Sequence, residues 1–155
     1  MSRLALGGAL TFVVSALVGL VGAPHTVVQG ARHDVPLAGN GRHLVVEARL
    51  NGTVTGPMLV DTGASYCVLT RATARRLGLP RGAHRSVPVA TANGEVAAPL
   101  VAVDSIRLHD AELARVDAVV MDAVEPPLIG ILGLSFLTEF RFSVDHRAGV
   151  LRLER

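Results

Sequence analysis

The stretch Met58-Leu59-Val60-Asp61-Thr62-Gly63-Ala64-Ser65 constrains this chain more than any other, because an apolar run delivers a carboxylate into a turn of small residues. Apolar residues lie on both sides, Met58 to Val60 before the acid and Val68-Leu69 beyond Tyr66-Cys67, and imply two buried strands joined by a short loop. A carboxylate held against a core is costly unless it is hydrogen-bonded or shares its charge. Such a group is either a local structural device or the seat of chemistry. Gly63 permits a tight turn that brings backbone N–H groups toward the acid, and Thr62 adds a hydroxyl. Taken alone, these letters fit an ordinary Asx turn between strands equally well, so the surroundings have to decide.

The first segment, residues 1–23, is dominated by the uninterrupted apolar run Leu4 to Ala23, about the length a helix needs to cross a bilayer. It reads as a membrane segment, either a transmembrane anchor or a signal sequence. Val21-Gly22-Ala23 has the small side chains of a signal-peptidase site, but Pro24 is a poor first residue after cleavage, which favours a retained anchor. Residues 24–42 hold turn-formers without periodicity and read as a linker. The domain is expected over 43–155.

Within it, Leu44, Val46, Ala48 and Leu50 alternate with outward residues, and Asn51-Gly52 supplies a hairpin turn before the return strand into Asp61. After a strand at 66–69, Thr70 caps a short helix that Gly78 and Pro80 stop. A second hairpin is expected over 87–103 around Asn93-Gly94. Strands follow at 105–108 and 114–120, then a tight apolar crossing at Leu128 to Gly133, a short helix over 134–140 and a closing hairpin. Short strands at regular intervals with one or two short helices predict an all-β, closed barrel-like domain.

Several chemistries are excluded. All fifteen basic residues are Arg, scattered among thirteen acids for a net charge of +2, which is no nucleic-acid surface. The six His lack the spacing of a metal pair and have no Cys partners, so no metal or other cofactor is expected. Ser65 lacks the second glycine of a nucleophile elbow. Gly130 to Gly133 has no Lys after it and is no phosphate loop. Cys67, the single cysteine, sits in an apolar strand and reads as a small buried side chain.

With these motifs in order, the sequence resembles the retropepsin-like aspartic proteases in their single-domain form. The apolar-Asp61-Thr62-Gly63-Ala64-Ser65 loop resembles the catalytic loop. Thr91-Ala92-Asn93-Gly94-Glu95 resembles a flap tip, and Ile131-Leu132-Gly133 followed by Leu134 to Leu137 resembles the apolar-apolar-Gly segment and helix that close the fold. Two such triplets follow one another, 128–130 and 131–133, and the second is chosen because the helix follows it. The resemblance implies a retropepsin-like barrel acting on a peptide or protein. Asp61 would be catalytic, Thr62 would bond across subunits beneath the dyad, Gly63 would offer its carbonyl to substrate, and Ala64 and Ser65 would complete the dyad's support and the grip on the peptide. Ser65 departs from the Asp found there in many retroviral relatives.

Metal-free peptide hydrolysis needs one group to accept a proton from water and another to donate one. Two carboxylates sharing a proton do both. Because the chain has one such loop, the second acid has to come from Asp61 of another copy, which makes a symmetric homodimer. The rival expectation is a membrane-tethered dimeric peptide-binding module with the same fold and no hydrolysis. The expected location is membrane-anchored with the domain outside the cytoplasm, or secreted if the leader is cleaved.

Overall fold

The computed structural model describes residues 31–38, 43–80, 85–91 and 94–155. The apolar segment 1–23 lies outside these residues. Among the described residues no helix is long and apolar enough to cross a membrane.

Strand β1 (Arg32–Ala38) precedes the hairpin of β2 (Val45–Leu50) and β3 (Val54–Val60). In β2, Val46, Ala48 and Leu50 are fully buried while Glu47 and Arg49 face out, as period-2 alternation requires. Asn51 and Gly52 both take positive φ, 46° and 65°, the pairing a two-residue turn between twisted strands demands. Then come β4 (Cys67–Leu69), α1 (Arg71–Arg76), β5 (Ser86–Thr91), the long β6 (Gly94–Leu108), β7 (Ala111–Val120) and β8 (Gly130–Leu132). The fold closes with α2 (Leu134–Leu137), β9 (Arg141–Asp145) and β10 (Val150–Glu154).

The strands β6, β7, β4, β8, β3 and β2 neighbour one another in that order, and β2 pairs back onto β6, so six strands close a barrel. Closure leaves few free edges. Its core is aliphatic. Leu50, Met58, Leu69, Ile106, Leu108, Leu132 and Phe136 are fully buried, each contributing about 1.5–3 kcal/mol of transfer free energy. Outside the barrel, β1, β10 and β9 form an antiparallel extension.

Four sequence expectations need correction. The linker assigned to 24–42 contains β1, which pairs with β10 from Arg32↔Glu154 to Pro36↔Val150 and with β2 at Leu37↔Val46. The strand escaped notice because Val35 is its one fully buried side chain, flanked by exposed Arg32 and Asp34 and by a proline. Residues 105–108 are no separate strand; β6 runs through Asp104 without a break because that acid faces out. Helix α2 ends at Leu137 rather than 140, the chain continuing in turns. Gly94 pairs with Thr91 and so belongs to β6, whereas Ala92 and Asn93 lie outside the described residues.

Two buried threonines lock α1 to the crossing segment. The Thr73 N–H donates to Thr70 Oγ1 at 3.1 Å, which caps the helix. The Thr73 hydroxyl donates to the Ile129 carbonyl at 2.8 Å, leaving the Thr70 hydroxyl to donate to Thr73 Oγ1, also at 2.8 Å. Thr73→Val keeps the shape and removes both hydroxyl bonds. It is expected to lower the unfolding free energy by about 1–3 kcal/mol, read as a shifted midpoint in urea with an unchanged slope.

Candidate active site

Asp61 follows directly on β3, and the parallel partner β8 fixes where it stands: Met58, Leu59 and Val60 are in register with Gly130, Ile131 and Leu132. The Asp61 N–H donates to the Leu132 carbonyl at 3.1 Å, continuing that ladder to the acid itself. The loop then turns back toward β4, whose residues pair in parallel with β7 and antiparallel with β8. The acid therefore stands where two parallel strand pairs meet around β8.

The segment from Leu132 to Ser135 clamps the loop through its backbone. Leu134 N–H donates to the Ala64 carbonyl at 2.8 Å, and Ser135 N–H donates to the Ser65 carbonyl at 3.0 Å. The Ser135 hydroxyl accepts from Cys67 N–H at 2.8 Å and donates to the Asp117 carbonyl at 2.7 Å. Sequence reading missed Ser135, although a polar residue opening an otherwise apolar helix was the available signal. Gly133 is where the two segments touch: a Cβ there would lie 2.2 Å from the Tyr66 carbonyl oxygen and 2.7 Å from that of Ala64. Gly130 is equally tight against the Val68 carbonyl oxygen, at 2.1 Å. Both triplets thus end on a glycine that packing demands, and 131–133 is the one that holds the Asp61 loop.

Asp61 Oδ1 accepts the Gly63 N–H at 2.8 Å, so the Asx turn weighed from the sequence is formed. Gly63 does not have positive φ; its bareness leaves room beside the acid, since a Cβ would sit 3.2 Å from Oδ1. The expectation of a buried carboxylate is corrected. Asp61 and Ala64 are half-buried in the single chain, and Thr62, Gly63 and Ser65 are exposed. Cys67 is buried and burial pushes its thiol up, so it is a packing residue.

Beside the acid runs a groove of about 320 Å³, within the size of small-molecule and peptide side-chain pockets. Its floor includes Asp61, Tyr66 and Ile131, and its far wall is the β5 arm at Val89 and Thr91. Thr91, expected at the flap, closes its turn by donating from Oγ1 to the Gly94 carbonyl at 2.7 Å. The expected flap base and the acid thus face one space; Gly94 and Glu95 lie just beyond on β6. Met121 and Ala123 complete the rim. This rim is fixed to α1 by Asp122, whose carboxylate accepts the Arg71 N–H at 2.9 Å and its guanidinium at 2.7 Å. Those contacts, the backbone N–H first, hold Asp122 below the usual carboxylate range. Among the described residues no cluster of His, Cys, Asp and Glu could hold a metal ion.

Residues 46–136 match the aspartyl protease family. Among solved structures, the chain resembles a retropepsin-like aspartic protease from Rickettsia conorii with a TM-score of 0.61 and 27% sequence identity, over 80% of this chain and 90% of that one. No curated protein matches the chain. The matched residues run from β2 through the Asp61 loop, the β5 and β6 arms and the Gly133 crossing to α2, a span that contains all the described residues lining the groove, and the chain belongs to the aspartyl protease family in its retropepsin-like form.

Proposed function

We propose that the chain is an aspartic endopeptidase in which Asp61 from each of two copies forms the catalytic dyad. The observation that carries this reading is that, among the described residues, Asp61 is the only acid lining the groove, and it stands beside an exposed Thr62-Gly63 surface. A single carboxylate cannot be acid and base in the same step. A second copy applied to that surface supplies the partner, and two carboxylates about 3 Å apart hold one proton between them. The ionised one takes a proton from water as the water attacks the peptide carbonyl. The protonated one gives its proton to the carbonyl oxygen.

In this reading Thr62 bonds to the second copy, which accounts for an exposed threonine next to the acid. Gly63 and Ser65 meet the peptide main chain, with Ala64 packed below, and an extended substrate lies between the loop and the arms ending at Thr91 and Gly94. The apolar segment 1–23 would tether the enzyme to a membrane with its domain outside the cytoplasm, or release it if cleaved.

Specific activity is therefore expected to fall on dilution, through the dissociation constant of the dimer. Full chains reconstituted in vesicles should hold their activity to lower total protein than the same chains in detergent, because confinement raises effective concentration. Peptide cleavage measured beside sedimentation checks both. Constant specific activity in a demonstrated monomer would refute the shared dyad.

A further inference from the structure

Arginines are spread through the whole chain, yet between Asp61 and Glu95 the sequence has no acid to offset them and holds Arg71, Arg75, Arg76, Arg81 and Arg85. With a formal charge of only +2 overall, the rest of the chain is net negative. The structure gives part of this excess a shape. Arg71 and Arg75 are spaced i, i+4 on α1 and share one helix face. Both line a cavity of about 570 Å³ that has no acid among its described lining residues and whose other walls include Leu79, Pro80, Pro99 and Val120. This cavity is separate from the Asp61 groove: Val119 lines the groove and Val120 the cavity, on opposite faces of β7 as strand alternation requires. Asp122 holds one of the two cations in place from outside the cavity, accepting Arg71 Nη1 at 2.7 Å and the Arg71 N–H at 2.9 Å. One corner of the guanidinium is thereby anchored, while its Nε and Nη2 make no hydrogen bond among the described residues. Arg75 is exposed and, beyond a Coulombic pull on Asp122, forms no ion pair among the described residues. One carboxylate against two guanidinium groups leaves positive charge facing an apolar wall.

From these observations we propose that the cavity beside α1 is a second binding site, for a polypeptide segment in which a carboxylate adjoins an aliphatic side chain. The carboxylate of a Glu or Asp meets Arg75 and the open edge of the Arg71 guanidinium, a planar group that Asp122 has already oriented for such contact. The aliphatic neighbour covers Leu79, Pro99 and Val120 and displaces water from their apolar surface. A basic segment is repelled by both arginines, and a neutral polar one makes neither contact. A lipid surface is the poorer match, because it is flat, whereas a concave cavity of this size takes one or two discrete groups. The role of the site is to hold an acidic protein, whether or not the Asp61 groove cleaves it.

The experiment is calorimetry on the full-length Asp61→Asn chain in uncharged detergent, with the peptides Ala-Glu-Leu-Glu-Ala, Ala-Gln-Leu-Gln-Ala and Ala-Glu-Ser-Glu-Ala, each blocked at both ends. The first should bind saturably. The second and third should each bind roughly tenfold more weakly, the loss expected when a charge-assisted contact or a covered aliphatic group is removed. Arg75→Gln in the same background should weaken the first peptide roughly tenfold, toward the level of the neutral one. Its circular dichroism should be unchanged, because residue 75 is exposed. Arg141→Gln, which removes an exposed arginine of β9, should alter nothing. Equal binding of the Leu and Ser acidic peptides would reduce the cavity to unspecific charge attraction and overturn the proposal. So would binding indifferent to Arg75→Gln, which would put the peptide elsewhere, or no saturable binding of the first peptide. Soluble dihexanoyl phosphatidylglycerol that binds through Arg75 while no peptide does would assign the cavity to lipid and overturn it as well. Absence of cleavage by the wild type with this binding ranking intact would sink the peptidase reading and sustain the site, and cleavage without the ranking would do the reverse.

Discussion

Asp61→Asn is expected to abolish peptide hydrolysis, a loss of at least about 10⁴-fold in kcat/KM given what paired general acid and base catalysis supplies. Fold and assembly should be nearly unchanged. The amide is isosteric, its oxygen still accepts the 2.8 Å bond from Gly63 N–H, and in the single chain the side chain is only half-buried. The loop is held by backbone contacts from Leu132, Leu134 and Ser135, none of which reads the charge of residue 61. Circular dichroism and sedimentation of the variant should match wild type while cleavage disappears. A purified variant that still cleaves would remove Asp61 from the mechanism, and a binding module without hydrolysis predicts no difference to be found in any cleavage assay.

The same residues show where sequence reasoning succeeds. The first hairpin was legible because period-2 alternation and Asn51-Gly52 agree, and both Asn51 and Gly52 adopt the positive φ that the turn needs. The α1 cap was legible because Thr70 stands where a hydroxyl has one obvious donor to satisfy, Thr73 N–H. The acid loop was legible as a position but its environment was not. An apolar run before Asp61 says that β3 is buried, and Val60 is, yet the chain leaves the core one residue later. Burial of the acid is a property that, in the proposed dimer, two copies would create together.

What stayed hidden depends on contacts far apart in sequence. Strand β1 is specified by its partner β10, more than a hundred residues away, and carries little pattern of its own beyond Val35. The role of Ser135 exists only because α2 packs beside β4, where its hydroxyl reaches Cys67 N–H and the Asp117 carbonyl. Tyr66 looked like a strand residue, and only the approach of β5 turns its surroundings into a groove. Local chemistry was readable at turns and caps, while the walls of the site are long-range and had to be seen.

Gly133→Ala is expected to damage activity far more than stability alone would predict. The added methyl would lie 2.2 Å from the Tyr66 carbonyl oxygen and 2.6 Å from its carbon, and both belong to backbone that cannot rotate away as a side chain would. Relief requires the 132–135 segment and the Asp61 loop to separate by about 1 Å, since contacts under about 3 Å are repulsive. That movement stretches the bonds from Leu134 N–H to Ala64 and from Ser135 N–H to Ser65, and would shift the acid relative to the second carboxylate of the proposed dyad. Overpacking of this kind costs about 1–3 kcal/mol of stability, and a displacement of 1 Å at reacting groups lowers rates about 100-fold. Gly78 provides the contrast. It has φ of 68° but open space around its missing Cβ, so Gly78→Ala should cost only the backbone strain of about 1–2 kcal/mol and leave kcat/KM near wild type. The two variants would then be comparable in urea midpoint and far apart in activity. Equal activity in both would mean that the Gly133 crossing does not position Asp61, and that the clamp seen between these segments holds the fold alone.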